Sequence, residues 1–423
     1  MENYLSDRIG FREYMITWYQ TFCDRVFHVL EHPLYSYGKD GYVMAVSWDL
    51  TTYQHRDTSE DYVNNLAAYV KNISDFCKEQ GSEFLFYLCP NKETIYPEYC
   101  DESFHVKNQP NRSEQIIKKL ESENLPYIYP KTSFVQLKET EQLYNKKHDA
   151  GHWNAKGCFY GRKEAIAYLN KIFPEMGELE ESEFSVSTQN IEYLINSRFR
   201  INEQVPVYEL KETSAMEDVA IFENLTLADP DMYHYHYHYK SEDSSDAKKP
   251  KILIYGDSYF GESAKYYLNH CSELLLLHSH NMKFADYCIS TYQPDIVIFE
   301  AVERVLQTSG FIDDSRVSKR FYSLNGYEQL NYKKEELQLD EEIIIFDKGS
   351  KSSGYVTFEG NVRDAVKGSE TPAVMTAAAV NGKEYMSVFD EKTQDFQFLF
   401  QKSDLQEAKD IVFYRILRTE DSP

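Results

Sequence analysis

The strongest constraint on the fold is an alternation of helical and strand-like segments that occurs twice along the chain. Residues 60–79 carry apolar side chains at helical spacing, and the short apolar run of residues 84–88 follows. The same order of segments returns between residues 251 and 299. Short strands that alternate with helices are typical of a parallel sheet covered by helices. The sequence therefore predicts an α/β fold.

The pattern changes near residue 325, where short apolar runs divided by turn residues replace the helical spacing. Such runs are typical of a small antiparallel sandwich. We therefore predict an α/β domain over residues 1–324 and a small all-β, sandwich-like C-terminal domain over residues 325–423. The predicted strands of this second domain are residues 343–346, 354–358, 373–380, 396–400 and 411–416.

Composition and charge exclude several classes of protein. Hydrophobic residues make up 42% of the 423 residues, which rules out wholesale disorder. A net charge of −24 argues against nucleic acid as a partner, because few cations would replace the counterions of the phosphate backbone. The seven cysteines form no CxxC motif, so neither a zinc site nor a disulfide framework is indicated. No membrane-spanning stretch and no signal peptide are visible.

The clearest chemical feature is the sequence Gly256-Asp257-Ser258, which follows the apolar run of residues 251–255 and precedes a predicted helix over residues 260–269. Such a turn places a serine at the carboxyl edge of the sheet, where open α/β sheets bind ligands. Backbone N–H groups and a helix dipole can stabilise an oxyanion there. The turn predicts a nucleophilic Ser258, and the alternative is an ordinary turn made of three turn-forming residues.

A serine nucleophile needs a base, and the base needs a group that orients it. Asp149 and His152 form a D-x-x-H pair in a loop before the predicted helix of residues 155–172. A carboxylate this close can hold the imidazole in the productive tautomer. The alternative is a polar loop in which Trp153 packs and Asn154 caps the next helix.

These motifs resemble those of SGNH/GDSL hydrolases, in most of which the Asp/His block follows the serine. Here Asp149 precedes Ser258 by 109 residues, an order similar to that of the alginate O-acetyltransferase family, AlgJ and AlgX. That family usually has one residue between Asp and His, whereas this chain has two. The resemblance implies an SGNH-hydrolase-like parallel sheet, with Ser258 as nucleophile, His152 as base and Asp149 as its orienting group. Further similar stretches are residues 7–12, 38–41, 90–92, 95–98 and 294–304.

Weaker assignments concern contacts to the oxyanion or the substrate. Asn91 and Lys92 follow a predicted strand and could reach the site, or they could form a turn anchored by Pro90. Arg304 could assist at the oxyanion or the sugar, although a structural pair with Glu300, four residues earlier on a helix, is slightly favoured. The remaining candidates of this kind are Tyr255, Gly256 and Asp257.

Residues 233–239 alternate strictly between tyrosine and histidine, so a strand would place His234, His236 and His238 on one face. The outer two would lie about 13 Å apart, too far for one metal ion to be shared by all three. This segment therefore predicts a half-exposed strand, and no metal site is expected.

The family resemblance implies an O-acetyltransferase that moves an acetyl group, through an acetyl-serine intermediate, onto a secreted or cell-surface polysaccharide. It also implies an extracytoplasmic location in the cell envelope or periplasm, a membrane-bound partner that delivers the acetyl group, and no metal or organic cofactor. The β-rich domain would bind glycan or act as a spacer. Two alternatives stay open: a carbohydrate acetyl-esterase with the same triad, and a non-catalytic glycan-binding or assembly protein. The charge of −24 favours a neutral or basic glycan.

Overall fold

The structure of the protein, a computed structural model, describes residues 12–46, 59–101, 110–195, 197–218, 221–222, 236–260, 263–306, 312–339, 345–346, 354–366, 371–408 and 410–423. The helices in these ranges are α1 (Arg12–Phe22), α2 (Glu60–Glu79), α3 (Lys92–Ile95), α4 (Arg112–Ser122), α5 (Lys131–Leu137), α6 (Ala155–Leu169), α7 (Ala285–Tyr292), α8 (Asp314–Val317), α9 (Leu324–Gln329), α10 (Val362–Ala365) and α11 (Lys402–Gln406). The strands are β1 (Tyr35–Tyr37), β2 (Val43–Ala45), β3 (Glu83–Cys89), β4 (Tyr127–Ile128), β5 (Phe184–Tyr193), β6 (Arg200–Leu210), β7 (Ala215–Asp218), β8 (His236–Ser241), β9 (Lys251–Gly256), β10 (Glu273–His278), β11 (Ile296–Val302), β12 (Lys333–Glu336), β13 (Ile345–Phe346), β14 (Tyr355–Asn361), β15 (Ala373–Val380), β16 (Lys383–Met386), β17 (Val388–Phe389), β18 (Asp395–Gln401) and β19 (Ile411–Leu417).

A mostly parallel sheet lies at the centre of the α/β region. Its described strands have the order β4-β3-β11-β9-β10-β8-β7. The first five run parallel, and β8 and β7 extend one edge in antiparallel fashion. Strands β3, β9, β10 and β11 are almost entirely buried, as expected where helices cover both faces. The prediction of a parallel α/β sheet is confirmed.

Helix ends follow the capping residues in the sequence. The side chain of Ser59 accepts a hydrogen bond at the start of α2, and Gly81 just beyond its end has a φ of +82°, which suits glycine. Asn111 and Glu114 form a capping box at α4. Asn154 accepts from the N–H of Gly157 at 2.9 Å and begins α6, so the cap that was the alternative for this loop is present. The helix ends at Leu169, three residues before its predicted end.

The predicted helix over residues 260–269 is wrong in its described part. Short 3-10 turns over Ser258–Phe260 and Ala264–Tyr266 take its place. Ser263 is buried and accepts a hydrogen bond from Arg162 at 3.1 Å. This tertiary contact of Ser263 overrides the apolar spacing that favoured a helix.

A long hairpin of β5 and β6 lies between the histidine and serine segments, and the sequence pattern does not predict it. Residues 185–190 of β5 are all exposed, so apolar and polar side chains do not alternate along this strand. The sequence pattern therefore does not indicate a strand here. The hairpin packs on α6 through the stacked rings of Tyr208 and Phe159, whose centroids lie 5.5 Å apart.

Two antiparallel four-stranded sheets follow, in the orders β12-β19-β15-β16 and β13-β14-β18-β17. They share an apolar cluster that includes Phe358, Phe398 and Phe400. They also contact the α/β region, since Ser290 on α7 accepts a hydrogen bond from the N–H of Met386 at 2.8 Å. The predicted antiparallel strands are present in their described parts, together with the short helices α10 and α11, and residues 343–344 of the first one lie outside the described ranges. The domain boundary at residue 324 stays a prediction.

The alternating tyrosine–histidine segment is described from His236 onward, and residues 233–235 lie outside the described ranges. Its described part forms β8, as predicted, and His238 is buried with Nε2 2.7 Å from Glu273. In the ranges given above, no group of three His, Cys, Asp or Glu side chains could hold a metal ion. No helix in those ranges is long and apolar enough to cross a membrane. All seven cysteines are free and buried.

A buried ion pair ties α6 to the central strand β11. Nη2 of Arg162 donates to Oε1 of Glu300 at 2.9 Å, and Nη1 donates to the other carboxylate oxygen. Neither side chain is exposed to solvent. The guanidinium also lies 4.7 Å from the ring centroid of Phe260 and 5.0 Å from that of Trp153. This pair therefore joins the elements on either side of the serine turn.

Replacing Arg162 with Met should leave the buried carboxyl group of Glu300 without its ion-pair partner. We expect Arg162→Met to lower the free energy of unfolding by about 3–5 kcal/mol, measured by chemical denaturation. Lys163→Met is the matched control, because Lys163 is half-exposed and pairs with Glu180 at 3.3 Å. That control should change the free energy by less than about 1 kcal/mol. Equal effects of the two substitutions would contradict the importance of the buried pair.

Candidate active site

Three side chains from two distant segments meet at the carboxyl edge of the central sheet. The Oγ of Ser258, just after β9, lies 3.0 Å from Nε2 of His152. The other ring nitrogen of His152, Nδ1, lies 2.9 Å from each carboxylate oxygen of Asp149. The imidazole side chain is 29% exposed, so a substrate can reach it. This geometry is that of a nucleophile, a general base and a carboxylate that orients the base.

The turn that carries Ser258 is fixed by the two residues before it. The carboxylate of Asp257 accepts hydrogen bonds from the N–H of Tyr259 at 2.9 Å and of Val302 at 2.7 Å, so it joins the turn to β11. A Cβ on Gly256 would lie 2.7 Å from the Cβ of Phe260, which only glycine avoids. Asp257 therefore orders the turn and does not face the reacting groups, contrary to its assignment as a substrate or oxyanion contact. Gly256 allows Phe260 to pack closely against the turn.

The loop of Asp149 takes a conformation that brings its carboxylate back to the imidazole. Asp149 has a φ of +48°, a left-handed conformation that Asp tolerates better than most residues. The resulting turn accommodates the two residues that separate Asp149 from His152. Burial raises the pKa of Asp149, but the attraction of His152, His148 and Arg304 outweighs it and leaves this pKa below its usual value. The group is therefore a carboxylate at neutral pH.

Arg304 belongs to this site, and its predicted pairing with Glu300 on a helix is wrong. Residue 300 lies within β11, and its carboxylate is bound by Arg162. The guanidinium of Arg304 donates to the carbonyl of Gly151 at 2.7 Å. Its Nη2 lies 3.5 Å from Oγ of Ser258 and 3.5 Å from Nε2 of the histidine. A positive charge therefore stands beside the serine hydroxyl.

Asn91 and Lys92, which follow β3 and Pro90, were both candidates for contact with the substrate, and the structure leaves only Asn91. Asn91 is buried, its backbone N–H donates to Glu303 at 2.6 Å, and its side-chain amide has no hydrogen-bond partner. Lys92 is fully buried and its ammonium bonds backbone carbonyl oxygens, so it does not reach the reacting groups. Its assignment as a direct substrate contact is therefore wrong.

Tyr255 is also wrongly assigned to the site. Its side chain is fully buried on β9, where burial and the neighbouring Cys288 on α7 raise the pKa of the phenol well above its usual value. The interaction with Cys288 places this ring against α7. It is therefore part of the core.

Two residues near the site were not found from the sequence. The ring centroid of Tyr259 lies 5.1 Å from that of His152, and the guanidinium of Arg304 lies 5.0 Å from the same tyrosine ring. The position of Tyr259 directly after Ser258 in the sequence is a signal that could have identified it. Glu203 on β6 binds backbone N–H groups of the loop before Asp149. It gives no sequence signal, because it belongs to the hairpin that the pattern does not predict.

The close packing of Gly256 makes a prediction about the serine turn. Gly256→Ala should push Phe260 away and lower the free energy of unfolding by about 1–3 kcal/mol, because an added methyl overpacks the site. The matched control is Gly354→Ala, since a Cβ there meets no atom within 4 Å. Chemical denaturation of both variants checks the prediction. An unchanged free energy in Gly256→Ala would contradict the tight turn.

Comparison with known proteins gives matches among solved structures. No protein-family model and no curated protein matches the chain. A structure of Bacillus cereus PatB1 with a sulfonyl adduct has a TM-score of 0.50 at 14% identity, over 68% of this chain and 97% of that one. The O-acetyltransferase domain of Pseudomonas putida AlgJ has a TM-score of 0.43 at 14% identity, over 67% of this chain and 95% of that one.

Pseudomonas aeruginosa AlgX is a further structural neighbour, with a TM-score of 0.38 at 14% identity over 91% of this chain and 94% of that one. AlgJ and AlgX are the proteins whose family the motifs resemble. At 14% identity, the structural similarity to PatB1 shows that the two proteins share a fold.

Proposed function

We propose that the protein is a serine O-acetyltransferase that acetylates hydroxyl groups of a polysaccharide. The observation that carries this proposal is the contact of 3.0 Å between Oγ of Ser258 and Nε2 of His152, with Asp149 on the opposite ring nitrogen. The resemblance of the motifs to the AlgJ and AlgX family supports acetyl as the transferred group and a polysaccharide as the acceptor.

In the first half of the proposed reaction, His152 takes the proton of Ser258 as Oγ attacks the carbonyl carbon of an acetyl ester. The negative charge of Asp149 stabilises the imidazolium that forms. The tetrahedral intermediate then breaks its bond to the donor oxygen, and the imidazolium gives its proton to that oxygen. An acetyl-serine and a free donor alcohol result.

In the second half, a sugar hydroxyl occupies the place of the donor alcohol. His152 removes its proton, and the sugar oxygen attacks the acetyl carbonyl. The bond to Oγ of Ser258 breaks, and the serine regains the proton from the imidazolium. The product is an acetylated sugar, and the enzyme returns to its first state. Water in place of the sugar would give acetate, which is the esterase reaction.

Both tetrahedral intermediates carry a negative oxygen that needs stabilisation. The N–H groups of Tyr259 and Phe260 are bonded to Asp257, so we propose that the backbone N–H of Ser258, at the start of its 3-10 turn, donates to this oxygen. We propose that the guanidinium of Arg304, 3.5 Å from Oγ, supplies the positive charge. The unpartnered amide of Asn91 is a further candidate donor.

The charge of the chain bears on the class of glycan. With a net charge of −24, the protein repels a strongly anionic polymer at long range, so we propose a neutral or basic glycan as acceptor. A membrane-bound protein would supply the acetyl group in the cell envelope. The residues from 325 onward would hold the glycan or serve as a spacer.

Removing the serine hydroxyl tests the mechanism directly. Ser258→Ala should lower kcat/KM for an activated ester such as p-nitrophenyl acetate by roughly 10³-fold or more, because no acyl-enzyme can form. The matched control Ser245→Ala lies on an exposed turn and should retain full activity. Mass spectrometry of the wild type mixed with the ester should find the acetyl group on Ser258. Equal turnover by wild type and Ser258→Ala would refute the assignment.

The products distinguish transfer from hydrolysis. With a neutral oligosaccharide present, an acetyltransferase yields the acetylated sugar at the expense of free acetate. An acetyl-esterase yields acetate alone, and a non-catalytic glycan-binding protein yields neither. Binding that is tighter to uronate than to neutral oligosaccharides at low salt would overturn the preference for a neutral glycan.

The guanidinium beside Ser258 makes a separate prediction. Arg304→Met should lower kcat roughly 10²–10³-fold with a small change in KM, because the lost interaction forms mainly in the transition state. Arg304→Lys should restore part of the rate, since a lysine keeps the charge but not the planar fork. Steady-state kinetics with the activated ester measures both effects. A loss confined to KM would show that Arg304 binds the substrate only in its ground state.

A further inference from the structure

The loop of residues 145–148, just before Asp149, is held on its carbonyl side by one buried ammonium group. Nζ of Lys92 donates to the carbonyl oxygens of Asn145 at 2.6 Å and Lys146 at 3.1 Å. Its third hydrogen bond goes to the carbonyl of Val43 on β2 at 2.7 Å. An ammonium has three protons, so all of its donors are satisfied by backbone oxygens.

A carboxylate holds the N–H groups of the same loop. The two oxygens of Glu203, on β6, accept from the backbone N–H of Lys146 at 2.5 Å, Lys147 at 2.9 Å and His148 at 2.6 Å. Three consecutive N–H groups around one anion form a nest, a backbone arrangement that favours negative charge. The loop therefore has a cation at its carbonyls and an anion at its N–H groups.

The loop of residues 145–148 needs this support because of the backbone conformation of Asp149, which follows it. Asp149 has a left-handed φ of +48°, which a side chain other than glycine adopts at some cost. Hydrogen bonds to ionised groups are roughly twice as strong as neutral ones, so they can hold such a turn in place. Both charged groups lie in elements distant in sequence from the loop, which fixes the loop against the body of the protein.

We propose that Lys92 and Glu203 are positioning residues, which hold Asp149 and His152 in line with Ser258 by clamping the loop from its two sides. This role rests on the proposed function, since it concerns the geometry of the same reaction. Neither residue contacts the reacting atoms. A displacement of about 1 Å at a catalytic group can lower a rate roughly 10²-fold, so a clamp of this kind would act on kcat.

Two substitutions release one side of the clamp each. Glu203→Gln and Lys92→Met should lower kcat for p-nitrophenyl acetate roughly 10–100-fold and leave KM within about 2-fold, because the catalytic groups move while the substrate pocket stays. The controls are Glu209→Gln, on an exposed position of the same strand β6, and Lys163→Met on α6. Both controls should keep the kcat of the wild type. Circular dichroism should show that each variant is folded at the assay temperature.

A pH profile gives a readout that a merely structural lysine would not change. Burial lowers the pKa of Lys92 to about 8, against the opposing charges of Glu93, Glu203 and Asp149 and the nearby thiol of Cys100. The ammonium is charged below that pH and neutral above it, so the clamp weakens as the pH rises. The wild-type kcat should therefore fall as the pH passes about 8.

The variants separate this cause from other alkaline effects. Lys92→Arg keeps its charge far above that pH, so its kcat should not fall there. Lys92→Met has no such charge to lose, so its low kcat should stay level over the same range. An alkaline fall that is identical in all three proteins would overturn the role of Lys92.

The outcomes for the function and for the clamp differ. If the wild type is active, Ser258→Ala is inactive, and Glu203→Gln and Lys92→Met both retain kcat within about 2-fold, the clamp is refuted and the function stands. If the wild type neither turns over the ester nor forms an acetyl-serine, the proposed function fails and this role fails with it.

Discussion

The ion pair between Arg162 and Glu300 joins the parts of the molecule on which the candidate site depends. It links α6, which begins three residues after His152, to β11, which ends two residues before Arg304. The guanidinium also contacts Phe260 and Ser263, which follow the serine turn in the chain. Since both partners are fully buried, neither can be removed without leaving the other charge uncompensated. This one interaction therefore connects the helix that follows the histidine loop with the strand and the turn beside Ser258.

The sequence predicts those features whose causes are local. Strands β3, β9, β10 and β11 are recognisable because a strand covered on both faces is apolar along its whole length. The Gly256–Ser258 turn is recognisable because glycine, aspartate and serine favour turns after a strand. Asp149 and His152 are close in sequence, so their pairing could be expected before the structure was known. Their catalytic role remains a proposal.

The features that the sequence does not predict depend on distant contacts. The ammonium of Lys92 binds a loop more than fifty residues away, and no local pattern distinguishes it from a residue that faces a substrate. Arg304 was expected to pair with Glu300 on one helix, but the chain there is a strand followed by a 3-10 turn. The helix expected after Phe260 is replaced by turns because Ser263 bonds Arg162. In each case a buried polar partner from another element decides the outcome.

The separation of Ser258 from His152 by 106 residues has a consequence for when the serine becomes reactive. An isolated serine hydroxyl is a weak nucleophile, and the imidazole that activates it comes from a different part of the chain. The two meet in the folded protein, where β9 pairs with β11 and α6 is bonded to the same strand. A newly made or unfolded chain therefore carries no activated serine, and its reactivity begins with the completion of the fold.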